Sequence, residues 1–237
     1  MATVKADLHI HTFLSPCGDI EMTPCHIVDK ALERGMGLIA ITDHNSTLQA
    51  PEVQRVGAEK GLVVLCGAEV TTKEEVHCLA LVETPAQREQ LQAYLEAHLP
   101  PIPNNPDVFG YQFWVDANEE VQGEAPYLLI SATDQNIEQV EAFVHQLGGL
   151  FIPAHINKAR DSVISQLGFL PPDLRVDALE LSRHITTDAF LKSNKYLSRY
   201  FFLHDSDAHL IQDVGTTFTA LEMDTVDFNG LKQALKQ

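Results

Sequence analysis

Residues 24–45, with the sequence PCHIVDKALERGMGLIAITDHN, decide the fold of this chain. The spacing of apolar residues predicts a helix over Pro24–Arg34 that Gly35 closes. The apolar run Leu38–Thr42 is then typical of a buried strand. Asp43 and His44 follow that strand directly, so polar side chains stand at its carboxyl end.

The same order of an apolar strand and a helical pattern recurs along the chain. Further strands are predicted at Leu62–Cys66, Val76–Val82, Leu150–Pro153, Ala178–Leu181 and Tyr200–His204, with further helices at Ile137–Leu147 and Phe228–Leu235. This alternation predicts an α/β fold with a parallel sheet and helices outside it, either a barrel or a doubly wound sheet. Nothing in residues 1–237 demands more than a single domain.

The stretch 85–126 departs from this alternation, and we interpret it as an insertion. It begins as a predicted helix over Ala86–His98 and continues as a loop rich in proline and asparagine. Two interpretations remain open. The insertion could cap an active site, or it could be a packing excursion with no catalytic part.

Composition and charge limit the classes of function. Hydrophobic residues make up 45% of the chain and charged residues 21%, as in ordinary globular proteins. No apolar run matches a membrane span or a secretory signal, so we expect a cytoplasmic protein with no membrane partner. The net charge of −17 argues against a large footprint on DNA or RNA, so no nucleic acid polymer is expected as a partner. The four cysteines lack paired spacing and are expected to be reduced thiols.

Histidines and carboxylates accompany most of the predicted strands, and this pattern points to a metal site. They are His9, His11, Asp43, His44, Glu69, His77, His155, Asp207 and His209. In α/β barrels, groups at the carboxyl ends of the strands form the active site. One such histidine is as often satisfied by a backbone carbonyl, but six positions of this kind together predict a cluster. Mixed imidazole and carboxylate ligands suit zinc, manganese or iron.

Seven short motifs carry a resemblance to a known family. They are DLHIHT (7–12), ITDHNS (41–46), GAEVTT (67–72), EVHCLAL (75–81), IPAHIN (152–157), ALELS (178–182) and SDAH (206–209). With these motifs in this order, the chain resembles the polymerase-and-histidinol-phosphatase (PHP) family of metal-dependent phosphoesterases. The resemblance implies a distorted (β/α)7 barrel with the metal site at the carboxyl end of the strands.

Carried over position by position, the resemblance implies two or three divalent metal ions. One ion would be held by His9, His11, Glu69 and Asp207. A second would share Glu69 and add His77 and His155. A third would use His44 and His209 with a residue from the loop after His11, where Asp19 is favoured over Cys17. Glu180 and Asp43 would orient the ligands, and a plain buried acid is an equal alternative for Glu180.

The implied reaction is hydrolysis of a phosphoester bond by a metal-activated hydroxide. Glu69, as the bridging carboxylate, and Asp207 are expected at the catalytic centre. The leaving group would take its proton from a metal-bound water or from a histidine such as His209, and the sequence does not choose between them.

Positive charge beyond the metal ions is expected to bind the phosphate. Lys158 and Arg160 come shortly after His155, and Arg183 follows the strand that carries Glu180. Arg160 and Arg183 are the candidates, because the guanidinium fork matches phosphate oxygens. A solvated surface arginine is an equal alternative for each.

Four functions stay open at this point. The leading expectation is a phosphoesterase acting on a small phosphorylated substrate, a phosphomonoester or a nucleotide. The others are an exonuclease-type domain of the same family, a metal-dependent amidohydrolase that cleaves C–N bonds, and a non-catalytic metal-binding module. The sequence does not indicate an oligomeric state.

Overall fold

The structure is a computed structural model and describes residues 2–236. Its strands are β1 (Ala2–Ile10), β2 (Leu38–Ile41), β3 (Val63–Thr71), β4 (His77–Val82), β5 (Phe113–Val115), β6 (Val121–Glu124), β7 (Leu150–Pro153), β8 (Leu179–Leu181), β9 (Phe202–His204) and β10 (Thr219–Met223). Its α-helices are α1 (Pro24–Glu33), α2 (Ala50–Lys60), α3 (Pro85–His98), α4 (Pro106–Phe109), α5 (Ile137–Gln146), α6 (Val163–Leu167), α7 (Thr187–Leu191) and α8 (Phe228–Ala234). The predicted alternation of strands and helices is confirmed.

Local sequence explains where the first helix begins and ends. Pro24 occupies the first turn of α1, where its missing N–H costs nothing. The helix buries Ile27, Val28 and Ala31 against the sheet. Gly35 follows with a φ of 71°, a left-handed conformation that glycine adopts without steric cost, and the chain turns there into β2.

Seven strands form a distorted barrel. The order β1-β2-β3-β4-β7 is continuous, and β8 pairs in parallel with β9. Hydrogen bonds from Asp177 N to Phe151 O and from Ile156 N to Glu180 O join β7 to the β8 side. The ring closes where His11 N donates to Ala208 O at 2.9 Å, after the end of β9. The predicted barrel is confirmed, and β10 pairs antiparallel with β1 as an added strand.

Strand β4 departs from the predicted parallel order. It runs antiparallel to both of its neighbours, β3 and β7. Only residues 72–76 separate β3 from β4, and so short a connection forms a hairpin, which must be antiparallel. The first residue of β4 therefore lies at the same edge of the sheet as the last residues of β3.

Alternation along the strands positions the functional side chains above an apolar floor. Leu65 of β3 and Leu79 of β4 belong to one buried cluster, which α8 also covers. Residues two apart in a strand share a face, so Glu69 lies on the same face as Leu65, and His77 lies on the same face as Leu79. Helices α1, α2 and α5 cover the opposite face of the sheet.

The stretch 85–126 contains more regular structure than predicted. Helix α3 matches the predicted helix, but a short helix α4 and a β5–β6 hairpin stand where a loop was expected. Strands of three and four residues are too short to show a hydrophobic period.

All four cysteines are free thiols, as expected. Among residues 2–236, no helix is long and apolar enough to cross a membrane.

Candidate metal centre

The predicted ligands converge at one end of the barrel. They come from the end of β1 (His9, His11), the loop after β2 (His44), β3 (Glu69), the start of β4 (His77), the loop after β7 (His155) and the loop after β9 (Asp207, His209). His77 joins this group only because β4 is antiparallel, since the first residue of a parallel strand would lie at the opposite edge.

Glu69 stands at the middle of the cluster, with 1% of its side chain exposed. Its Oε1 lies 2.9 Å from His77 Nδ1, 3.0 Å from His155 Nε2 and 3.3 Å from His9 Nε2. Its Oε2 lies 3.1 Å from His44 Nδ1 and 3.3 Å from His11 Nε2. Burial by itself raises the pKa of Glu69, but the surrounding imidazoles, led by His77, hold that pKa well below its ordinary value. Glu69 is therefore a carboxylate with both oxygens aimed at imidazole nitrogens.

The donor atoms fit divalent metal ions. Three groups of ligand atoms lie within 4.8 Å of one another: His9, His11 and Glu69; His44, Glu69 and His77; and His11, His44 and His209. Ligands bound at 2.0–2.1 Å are separated by about 3.0–3.4 Å in octahedral or tetrahedral geometry, and the separations around Glu69 fall in or near this range.

Unpartnered nitrogens support the same conclusion. The buried Nδ1 atoms of His44 and His155 make no hydrogen bond. His44 Nδ1 is only 3.1 Å from Glu69 Oε2, yet the geometry of this contact is not that of a hydrogen bond. A buried polar atom without a partner costs free energy, and a shared cation would satisfy the contact between His44 and Glu69.

Hydrogen bonds to residues outside the ligand set orient the two ligands on β1. His9 Nδ1 lies 3.0 and 3.1 Å from the two oxygens of Glu180, and a carboxylate can only accept, so His9 donates from Nδ1 and directs Nε2 toward Glu69. Glu180 also accepts from the backbone N–H of His155 at 2.8 Å. Ser15 donates to Asp43 at 2.7 Å and lies 3.0 Å from His11 Nδ1, so Ser15 accepts from His11. This arrangement directs His11 Nε2 toward Glu69 as well.

Backbone strain accompanies the loop ligands. His155 has a φ of 31° and Asp207 a φ of 51°, values that residues other than glycine seldom adopt. Such conformations persist where surrounding contacts hold them, and they occur preferentially at functional sites. The hydrogen bond from His155 N to Glu180 is one contact that holds this geometry.

Lys158 lies in the cavity beside the cluster. The cavity has a volume of about 200 Å³, and its lining includes Glu69, Lys158, Asp207 and His209. The Lys158 ammonium forms an ion pair with Asp207 Oδ2. Burial by itself lowers the pKa of Lys158, but Asp207 raises that pKa above its ordinary value. Lys158 is therefore a cation that faces the site.

The two predicted phosphate-binding arginines lie in different places. Arg183 lines a small cavity together with Lys158 and Asp207, and it forms an ion pair of 3.3 Å with Asp213. Arg160 is exposed and does not line either cavity. Sequence reasoning preferred Arg160 to Lys158 because of its guanidinium group, whereas the chain directs Lys158 toward Asp207. The closeness of Lys158 to the ligand His155 in the sequence could have indicated that Lys158 lies at the site.

The two candidate ligands in the loop after His11, Asp19 and Cys17, differ in their surroundings. Asp19 lies outside the three ligand groups, and its Oδ1 accepts a hydrogen bond from Glu21 N at 2.9 Å. Burial, together with the negative charge of Glu69, raises the pKa of the Cys17 thiol to about 12. The sulfur of Cys17 is thus within electrostatic reach of the cluster. His209 shares a ligand group with His11, and burial together with the charge of His11 lowers the pKa of His209 to about 4.

Comparison with known proteins identifies relatives and fold neighbours. YqxK of Bacillus subtilis is 27% identical over 267 aligned positions, which span all of this chain and 62% of that protein. The 5'-3' exoribonuclease Rnm of Salmonella typhimurium is 34% identical over 98 residues, which span 38% of this chain and 32% of the relative. The lesion-specific endonuclease Q of Pyrococcus furiosus has a TM-score of 0.74 at 21% identity, covering 99% of this chain and 56% of that one. This chain thus covers less than two thirds of each relative's length.

The expectation that no nucleic acid polymer would be a partner is wrong. Endonuclease Q, which shares the fold, has also been solved with a 27-mer duplex carrying an abasic lesion at the active site, and Rnm is an exoribonuclease. The net charge of −17 led to the wrong expectation because it is a sum over the whole chain and does not show where positive charges concentrate. Residues 158–199 hold seven of the 16 Lys and Arg but only five of the 33 Asp and Glu, and this segment begins at the metal centre.

The PHP domain model matches residues 7–158, which include the ligands from β1 to the loop after β7. The barrel and the convergence of histidines at one of its ends agree with that match. The chain belongs to the PHP family of metal-dependent hydrolases.

Proposed function

We propose that this protein hydrolyses phosphodiester bonds in nucleic acid, using two or three divalent ions of zinc, manganese or iron held by the predicted ligands. Bound ions would supply Lewis acidity, which lowers the pKa of a coordinated water and neutralises charge on phosphate oxygens. The exonuclease-type alternative thereby takes precedence over hydrolysis of a small monoester.

One observation carries this proposal. The two oxygens of Glu69 face different imidazoles, with His77 and His155 on Oε1 and His44 and His11 on Oε2. A carboxylate in this position can bridge two ions. Paired ions suit in-line displacement at phosphorus, where the attacking and the leaving oxygen both need stabilisation.

Lys158 and Arg183 are the residues that we expect to bind the phosphate. Both line the same small cavity with Asp207. Once Asp207 serves as a metal ligand, the Lys158 ammonium is free to donate to a non-bridging phosphate oxygen. A cationic rim of this kind favours a phosphoester over an uncharged amide, so the amidohydrolase alternative is not favoured.

His209 is our candidate for a metal ligand at the rim of the cavity, beside His11 and His44. It lines the cavity, its side chain is 27% exposed, and its Nδ1 donates to the backbone carbonyl of Asp207 at 3.0 Å. Because Nδ1 carries the proton and the pKa of His209 is lowered to about 4, Nε2 is unprotonated near neutral pH and available to a metal ion. His209→Gln should therefore lower the metal content of the protein, and the leaving oxygen would take its proton from another donor.

End-labelled single-stranded DNA, RNA and duplex DNA test the proposal, with chelated protein to which manganese or zinc is returned. We expect metal-dependent cleavage that Glu69→Gln and Asp207→Asn reduce at least a hundredfold. His26→Gln, an exposed histidine on α1, is the matched control and should keep full activity. The metal content of each variant, measured by mass spectrometry, shows which ligands hold an ion. Absence of cleavage of every nucleic acid by metal-loaded protein would refute the proposal.

A further inference from the structure

An apolar groove lies beside the metal centre, between the loop that follows His11 and the insertion. It has a volume of about 490 Å³. Its walls include Phe13, Ser15, Pro16 and Ile20 from the loop and Phe109, Tyr111, Phe113 and Val121 from the insertion. Neither the proposed reaction nor the metal ligands use this groove.

The sequence of the insertion builds one wall of the groove by strand alternation. Tyr111, Phe113 and Val115 line the groove, whereas Gln112 and Trp114 between them face the protein. Gln112 is fully buried and donates to the carbonyls of Ala125 and Tyr127, at 3.3 and 2.7 Å. The wall is therefore held by its inward residues, and its outward residues are free to meet a ligand.

Contacts with the barrel also fix this wall. The Gln49 side chain, which is fully buried just before α2, donates to Val115 O at 2.8 Å and accepts from Val115 N at 2.9 Å. Trp114 packs over Gly123 of the paired strand, where a Cβ atom would lie 2.2 Å from the indole ring. A rigid wall binds a flat ligand with little loss of conformational entropy.

The aromatic rings of this wall are arranged as a stacking platform. Tyr111 and Phe113 lie nearly parallel, at 11°, with ring centroids 4.9 Å apart. Tyr111 is nevertheless 60% exposed, which is unusual for a large ring that already packs against another. Parallel rings with an accessible face fit a planar aromatic ligand better than they fit an aliphatic side chain.

Ser15 connects the groove to the metal centre. It lines the groove, and its hydroxyl bonds to both His11 and Asp43 on the side of the metal ligands. One residue thus separates the two sites. Glu119 is the one charged residue among those that line the groove, and its negative charge disfavours a phosphate there. Basic residues lie instead in segment 158–199, which begins at the metal centre.

We propose that the groove binds a nucleobase next to the scissile phosphodiester, by stacking on Tyr111. This inference rests on the proposed function and assigns a role to the insertion. The phosphate backbone then passes Lys158 and Arg183 at the metal centre, and a neighbouring unstacked base enters the groove. A second copy of this chain is the competing occupant, and the test below separates the two.

Binding of fluorescent single-stranded oligonucleotides, measured by anisotropy with calcium in place of the catalytic metal, tests the inference. Stacking on an aromatic ring contributes enough affinity that Tyr111→Ala should raise Kd about 5- to 150-fold. Tyr127→Ala is the matched control, because Tyr127 is an exposed tyrosine that directly follows the insertion and lies outside this groove. Its Kd should stay within twofold of that of the unaltered protein.

A series of oligonucleotides with one abasic residue at successive positions completes a double-mutant cycle. At one position the abasic residue should weaken binding to the unaltered protein and have no further effect on Tyr111→Ala. Equal Kd values for Tyr111→Ala and Tyr127→Ala, or purely additive effects at every position, would overturn the inference while cleavage itself persists. A change from dimer to monomer in Tyr111→Ala, at unchanged Kd, would assign the groove to a second copy. Failure of the unaltered protein to bind or cleave any oligonucleotide would remove both proposals.

Discussion

Replacement of Glu180 by glutamine tests how the barrel prepares its ligands for metal. Glu180 is fully buried, and its two oxygens accept from His9 Nδ1 and from the backbone N–H of His155. Glutamine offers one acceptor oxygen and one NH2 group. Whichever way the amide turns, its NH2 group faces an N–H donor, that of His9 in one orientation and that of the His155 backbone in the other, and the hydrogen bond at that position is lost.

The size of the effect follows from this geometry. A buried N–H without a partner costs about 1–3 kcal/mol, and a histidine that turns away from its metal-binding orientation relieves that cost. A difference of this size corresponds to about 5- to 150-fold in affinity, in agreement with the 10- to 100-fold typical for residues that orient metal ligands. We therefore expect Glu180→Gln to weaken zinc binding about 10- to 100-fold.

Competition against a chromogenic chelator at constant pH measures the zinc affinity. Glu222→Gln, an exposed glutamate on β10, is the matched control and should bind zinc as the unaltered protein does. Circular dichroism of both metal-free variants checks that they fold. If folded Glu180→Gln binds zinc within twofold of the unaltered protein, the proposed role of Glu180 in orienting His9 and His155 is wrong.

Three further predictions concern stability. Removal of divalent metal should lower the melting temperature measured by calorimetry. Ions that bind only the folded state add about 4 kcal/mol to the free energy of unfolding at a thousandfold excess over Kd. An unchanged melting temperature would contradict a metal-binding fold. Hydrogen bonds to Asp177 and Glu141 raise the pKa of His145, so its contribution to stability is complete below about pH 6.5 and is lost as the pH rises through the raised pKa. Urea unfolding of His145→Gln should therefore show a loss at about pH 5.5 that shrinks at about pH 8.5, with His26→Gln unchanged at both. Gln112→Leu leaves buried backbone groups unpaired at about 1–3 kcal/mol each and should speed limited proteolysis of the insertion; unchanged proteolysis would show that Gln112 does not anchor it.

Much of the barrel was predictable because burial follows local rules. An apolar run such as Leu38–Thr42 must be covered on both faces, and Gly35 stops the preceding helix by its own backbone preference. The residues at the strand ends were equally predictable, since polar residues directly after a buried strand lie at the carboxyl end of the barrel. His9, His11 and His155 were therefore proposed as ligands on the basis of their neighbours in the chain.

Other features depend on partners that are distant in sequence. The direction of β4 decides whether His77 reaches the cluster, and the brevity of its turn with β3 sets that direction. The β5–β6 hairpin has strands too short to leave a period, and buried Gln49 and Gln112 hold it through long-range hydrogen bonds. Whole-chain charge could not show that cations concentrate in segment 158–199.

The metal centre divides in the same way between sequence and tertiary structure. The sequence by itself determined which residue types stand at the ends of the strands, and hence that histidines and carboxylates would gather there. Only the tertiary structure decided that both oxygens of Glu69 face imidazoles, that Lys158 rather than Arg160 enters the cavity, and that the Asp19 carboxylate is outside the three ligand groups. The physical reason is that a pattern along the chain records burial and direction, whereas distances between side chains depend on the pairing of strands and the closure of the ring.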